Sequence, residues 1–142
     1  MVRPMATIFS RIIDGELPGT FVWRDGRAVA FMSINPLARG HVLVVPIEEV
    51  DHWVDAPADL VAHLFEVART IGVAQQPAFE CVRVAVIIAG YEIPHAHVHV
   101  VPTTSMAELD FANAATAVDP ADLESAAEAI RAQLRPHPSV SG

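Results

Sequence analysis

Residues 95–101 read His-Ala-His-Val-His-Val-Val and are closed by Pro102, so three of the chain's seven histidines alternate with apolar residues in one short stretch. Successive side chains of a β-strand point to opposite faces. A strand here puts His95, His97 and His99 on one face, with Ala96, Val98 and Val100 on the other. The apolar face belongs against a core, and the imidazole face must look into a cleft or into water. Imidazoles titrate near pH 6.5, so the row offers a nucleophile, a proton donor and a metal ligand near neutrality.

Two chemistries suit such a row. Same-face neighbours on a strand lie about 7 Å apart, which stretches His95 to His99 over roughly 13 Å. Metal–nitrogen bonds of about 2 Å gather ligands far more tightly. Two of the three can meet at one ion, with a third ligand drawn from His41, His52, Glu92 or Cys81. A His-x-His metal site is therefore one reading. The other lays the imidazoles along an anionic substrate, which fits the spacing better and calls for no metal or other cofactor.

Composition narrows the setting. A chain of 142 residues suits one domain with a real core. No apolar run approaches the roughly 18 residues that span a bilayer, and no signal-peptide pattern opens the chain, so no membrane partner is expected. Cys81 is the single cysteine, which excludes an internal disulfide framework and fits a reducing, cytoplasmic setting. The net charge of −8 argues against a nucleic-acid partner held by a basic face. All nine basic residues are arginines, so neither a phosphate-loop lysine nor a Schiff-base lysine is available.

The pattern along the chain predicts an α+β domain. Ile8, Phe9, Ile12 and Ile13 recur at helical spacing and predict a short helix over 7–14, ended by Gly15. Residues 20–24 and 28–33 read as a hairpin about Asp25-Gly26-Arg27, and 41–46 as a strand closed by Pro46. Leu60, Val61, Leu64, Val67, Ala68 and Ile71 line one face of a helix from Pro57 to about Ala74, leaving His63 on the solvent face. Residues 82–89 and 96–102 are the last two strands, the first an apolar run buried on both faces. Residues 103–118 lack a period and read as a loop with one helical turn. Asp119-Pro120-Ala121-Asp122 then starts a helix over about 120–134, and a disordered tail follows from 136, including His137.

The residues 95–101 have the form His-φ-His-φ-His-φ-φ, φ being apolar, and resemble the signature of the histidine triad (HIT) superfamily. Thr7-Ile8-Phe9-Ser10-Arg11-Ile12-Ile13-Asp14-Gly15-Glu16-Leu17-Pro18 is similar to that family's opening helix and turn. Ala30 to Pro36 and Gly40 to Pro46 resemble its central blocks, and Gly90-Tyr91-Glu92-Ile93-Pro94 leads into the triad. The match covers about residues 5–104 of a single domain spanning 1–142. It implies the HIT fold, a five-stranded antiparallel sheet with one long helix packed on it, and a homodimer whose two sheets join.

The resemblance also implies roles. The middle histidine, His97, would attack an α-phosphorus to form a nucleotidyl-histidine that water cleaves. His99 and His41 match histidines lining the phosphate site, and the main-chain carbonyl of His95 would fix the tautomer of His97. Ile8, Phe9, Ile12, Phe31 and Ile34 match positions that pack a purine base, so the expected partner is a purine nucleotide or nucleoside phosphate ester. Ser33 stands where relatives commonly hold the ribose with an aspartate, and Glu92 lies on the approach to the phosphate. Thr7 and Ser10 fall where some relatives carry a zinc-binding Cys-x-x-Cys pair, and Glu49 replaces a frequent histidine. A nucleotide-binding module with vestigial catalysis is the companion reading, favoured by Ser33 and Tyr91.

Overall fold

The computed structural model describes residues 6–135 and 137–140. Five strands form one antiparallel sheet in the order β1-β2-β3-β5-β4: β1 (Phe21–Arg24), β2 (Ala28–Met32), β3 (Val42–Pro46), β4 (Arg83–Ile87) and β5 (Val98–Thr103). Three helices accompany them, α1 (Ile8–Ile13), α2 (Ala58–Phe79) and α3 (Pro120–Leu134). The architecture is the α+β class that the alternating pattern predicts.

Strand alternation sorts the apolar residues into two clusters. Val42, Val44, Val98 and Val100 face α2 and α3, where Leu60, Leu64, Val67, Ile71 and Ile130 complete the main core. Phe31, Leu43, Val29 and Val45 face the other way and meet Phe9 of α1. His99 is paired with Leu43 across the β3–β5 ladder, so it lies on this second face. The short α1 covers only part of that face, which leaves room for a cavity.

Several elements depart from the sequence reading. The long helix runs five residues beyond Ala74, through Pro77, to Phe79. Gln75 explains its persistence, because its buried side-chain amide donates to the carbonyls of Gly40 (2.9 Å) and Val100 (3.0 Å). Glu80 then ends the helix in the left-handed conformation. The apolar run at β4 is an edge strand, paired with β5 alone and partly exposed, rather than a strand buried on both faces. Periodicity reports the faces of a strand, not how many neighbours it has. His63 is half-buried rather than free on the surface, its Nε2 lying 2.8 Å from Asp25 of the hairpin turn. The loop after β5 holds two short 3₁₀ turns, Met106–Leu109 and Phe111–Asn113.

The tail also has a place. His137 stacks on Trp23 with ring centroids 4.4 Å apart, and the Ser139 carbonyl accepts from Arg24 N–H at 2.9 Å. Residues 137–140 therefore lie against β1, contrary to the predicted disorder; the expectation for Pro136, Ser141 and Gly142 falls outside the described residues. Arg131 of α3 is buried and donates twice to the Phe21 carbonyl (3.0 and 2.8 Å), which ties the C-terminal helix to the same strand.

Gly40 gives a direct test of this packing. Its φ is +93°, and an added Cβ would lie 2.3 Å from the Phe79 ring at the end of α2. Gly40→Ala combines left-handed strain with overpacking, so it should destabilise the fold by about 2–4 kcal/mol. Equilibrium denaturation should show a lower midpoint with an unchanged slope; an unchanged midpoint would mean that α2 does not press on this turn.

Candidate active site around the histidine row

The row is only partly a strand. β5 begins at Val98, and Ile93, Pro94 and His95 approach it irregularly, held by Ala96 N–H donating to the Val50 carbonyl (2.7 Å). Alternation still governs the side chains. The rings of His95 and His97 both meet Phe9, with centroids 5.8 and 4.9 Å away, and those of His97 and His99 are 4.8 Å apart. All three histidines and His41 are buried.

Hydrogen-bond partners assign the tautomers. Leu37 N–H donates to His41 Nδ1 at 3.0 Å, so the proton of neutral His41 sits on Nε2. That N–H points at His99 Nδ1, 2.9 Å away, and leaves the proton of His99 on its own Nε2. His99 Nε2 is buried, lacks a hydrogen-bond partner and faces the cavity. His97 is set the opposite way. Its Nδ1–H donates to the His95 carbonyl at 2.8 Å, which leaves a lone pair on Nε2. The site thus presents one lone pair and one N–H side by side.

His95 itself does not line the cavity. Its Nε2–H donates to the Pro46 carbonyl (2.7 Å), and its Nδ1 accepts from the Thr7 hydroxyl (2.6 Å). Glu49 Oε1 accepts from Ser10 Oγ (2.6 Å) and Thr7 N–H (3.0 Å) at the start of α1. The four positions 7, 10, 49 and 95 therefore meet in one cluster, built from hydroxyls, a carboxylate and an imidazole without a thiolate.

Burial keeps the inner imidazoles neutral. Desolvation, reinforced by the neighbouring His99 and His97, lowers the pKa of His41 to about 3. Desolvation and His97 lower that of His99 to about 4, against an opposing pull from Glu92. Glu92 Oε1 lies 3.5 Å from both His97 Nε2 and His99 Nε2, so the half-exposed carboxylate stands before the two reactive nitrogens. Burial alone would raise its pKa. The hydrogen bond to its own backbone amide and the two imidazoles outweigh burial and hold it below the ordinary range.

A cavity of about 620 Å³ opens over this row. Ile8, Phe9, Ile12, Phe31, Ser33, Ile34, His41, Glu92, His97 and His99 all line it, which brings together every site residue read from the sequence except His95. Ile8 and Ile34 lie exposed at its rim. Ser33 Oγ accepts from Asn35 N–H at 3.2 Å, so part of its bonding capacity is used by the turn. Tyr91 projects into solvent and lines no part of it. Sequence reasoning missed Phe111, Ala114, Val118, Pro120 and Leu123, which form a further wall. The one available signal was Phe111, an isolated aromatic in a stretch of small residues.

Glu92, His97 and His99 also offer donor atoms within 4.8 Å of one another, close enough to bracket a cation. The hydrogen-bond chain opposes it. Ligation by His99 Nε2 would move its proton to Nδ1, against the N–H of His41, whose proton would then have to face Leu37 N–H. Of the third ligands open to a metal reading, His52 and Cys81 line no part of the cavity.

The lowered imidazole pKa values set a stability window. Unfolded histidines take up protons near pH 6.5, whereas His41 and His99 resist protonation until about 3 and about 4. Between those limits the unfolded chain binds more protons, so stability falls as pH falls. Urea midpoints should decline from pH 7 to 4.5 in the native chain and less steeply in His41→Gln. A flat native profile over that range would mean that these imidazoles are not held neutral.

A model of the HIT domain matches residues 14–106. An uncharacterized HIT-like protein of Methanocaldococcus jannaschii is 33% identical over 99 residues, 67% of this chain and 77% of that protein. A zinc-bound histidine triad family protein from Mycobacterium smegmatis has a TM-score of 0.79 at 26% identity, covering 92% of this chain and 94% of that one. A hypothetical histidine triad nucleotide-binding protein from Sulfolobus tokodaii has a TM-score of 0.78 at 26% identity, covering 89% and 90%. With its alternating histidines on a five-stranded antiparallel sheet, this chain belongs to the HIT domain family.

Proposed function

We propose that the chain is a nucleotidyl hydrolase or transferase acting at the α-phosphorus of a purine nucleoside phosphoramidate or related phosphate ester. The observation that carries this reading is the opposed pair of tautomers, with a lone pair on His97 Nε2 beside the cavity-facing N–H of His99. His97 Nε2 attacks phosphorus, the bond to the leaving group breaks, and that group departs with the electron pair and gains a proton. The His97 cation so formed keeps its Nδ1–H on the His95 carbonyl. Water then attacks phosphorus and gives up a proton, replacing the one that the leaving group took from solvent, the P–N bond returns its pair to Nε2, and the nucleotide is released. Splitting one displacement into two lowers each barrier, and the preset N–H of His99 stabilises the phosphoryl oxygen without reorganising.

Around this centre, Phe9, Phe31, Ile8, Ile12 and Ile34 supply an apolar wall for the base. The name of the Sulfolobus tokodaii neighbour, a nucleotide-binding protein, supports this choice of ligand. A homodimer belongs to the proposal, and β4 is a suitable joining edge because it pairs on one side only and exposes Val86. A binding module with vestigial catalysis is the second reading, favoured by a Ser33 that offers no carboxylate to ribose hydroxyls.

Incubation with adenosine phosphoramidate, followed by assay for AMP and for an adduct on histidine, tests the proposal. His97→Ala should lower turnover by about 10⁴-fold or more while leaving the circular dichroism spectrum unchanged. Retention of a tenth of the native rate would remove His97 from the nucleophile's role.

The cation-bracketing geometry of Glu92, His97 and His99 gives a separate prediction. Chelation should leave turnover unchanged, and added zinc should inhibit by capping His97 Nε2. Activity lost to a chelator and restored by one ion would replace the phosphohistidine route with a metal-dependent one.

A further inference from the structure

The far wall of the cavity comes from a part of the chain that the family model does not reach. That match ends at residue 106, yet Phe111, Ala114, Val118, Pro120 and Leu123 all line the space over the histidines. Phe111 meets His99 edge-on, with ring centroids 5.1 Å apart, and is half exposed toward the cavity. Four rings therefore stand in file: Phe9 to His97 at 4.9 Å, His97 to His99 at 4.8 Å and His99 to Phe111 at 5.1 Å. The two reactive imidazoles are bracketed by an aromatic ring at each end.

The wall is held in place. Asn35 Nδ2 donates to the carbonyls of Ala115 (3.1 Å) and Thr116 (3.3 Å), and Ala115 N–H donates to the Pro36 carbonyl (3.0 Å). Asp110 caps the turn that carries Phe111 by accepting from Ala112 N–H at 2.9 Å. The segment is thereby fastened to the turn that follows β2.

Its chemistry is apolar and uncharged. Among the described residues no arginine lines the cavity and the one carboxylate in the lining is Glu92, and the chain has no lysine. A leaving group made of further phosphates would meet no cation there. An aryl or alkyl group would meet an aromatic ring and aliphatic side chains.

We infer that the Phe111 wall is a leaving-group subsite that selects phosphoramidates or esters with an uncharged aromatic or aliphatic leaving group over dinucleoside polyphosphates. This rests on nucleotidyl transfer at His97 with the nucleoside against Phe9, so the second substituent of phosphorus is the group left for Phe111. In the reaction, the bond from phosphorus to the leaving amine breaks as His97 Nε2 bonds to phosphorus. The amine departs with the electron pair, takes a proton from water and is released from the Phe111 wall.

The test compares adenosine phosphoramidate with its N-benzyl derivative, whose leaving amines have similar basicity, and with diadenosine tetraphosphate. The N-benzyl compound should have the highest kcat/KM of the three. Phe111→Ala should lower its kcat/KM by about ten-fold, as removal of one aromatic partner implies. Measured against the unsubstituted compound in the same variant, the N-benzyl preference should collapse, and Phe111→Leu should restore much of it because apolar bulk remains. Equal losses on both compounds would make Phe111 a support for His99 rather than a subsite. No loss on either, or a preference for the tetraphosphate, would overturn the inference. Affinities measured in a His97→Ala background separate the two proposals. A benzyl-specific loss on adding Phe111→Ala, in a protein whose native form turns over no phosphoramidate, would retain the subsite and discard nucleotidyl transfer.

Discussion

One backbone amide determines the polarity of the site. Leu37 N–H can only donate, so His41 must accept at Nδ1 and carry its proton on Nε2, and His99 must in turn carry its own on Nε2. A fixed peptide group is thus read out two side chains later as an N–H facing the cavity. The opposite constraint acts on His97, where the His95 carbonyl can only accept and so draws the proton to Nδ1. A lone pair and a donor on adjacent same-face residues would otherwise exchange roles with each tautomeric shift. Desolvation completes the arrangement by making the doubly protonated imidazoles costly.

The chain upstream of His95 serves the same end. Thr7 caps α1 by accepting from Ser10 N–H and its hydroxyl reaches His95 Nδ1, while Glu49 gathers Ser10 and the Thr7 amide. The carbonyl that orients His97 therefore sits on a residue clamped from both ring nitrogens. The Thr7 hydroxyl holds the imidazole of His95 at Nδ1, and such a bond contributes on the order of 1 kcal/mol.

What the sequence makes legible follows from what is local. Alternation at 95–101 places His97 and His99 on one face whether or not the first residues join the ladder, because the side-chain period survives the irregular approach at Ile93 and Pro94. The apolar positions of α1 and β2 fall on the second face for the same reason, and line the cavity. The extent of α2 was not legible, since Gln75-Gln76-Pro77 reads as a stop and only the distant carbonyls of Gly40 and Val100 make Gln75 a helical anchor. The tail and His63 follow the same rule: each is ordered by a partner on the β1–β2 hairpin that no local pattern announces.

The wall after β5 shows why such long-range fastening matters to chemistry. Residues 111–118 have neither a period nor a charge pattern, and nothing in them specifies where Phe111 should point. The segment just after it is held by Asn35, about 80 residues earlier in the chain, which donates to the carbonyls of Ala115 and Thr116. Asn35 in turn donates its backbone N–H to Ser33 Oγ. Ser33 thus steadies the turn whose asparagine holds Ala115 and Thr116. A carboxylate at 33 could accept the same N–H, but it would add a charge to a cavity in which, among the described residues, Glu92 is the one acid. On the proposed nucleotidyl transfer, a neutral residue at 33 and the uncharged side chains of Phe111, Ala114, Val118, Pro120 and Leu123 act in the same direction, toward a ligand whose charge is confined to the phosphate over the histidine row.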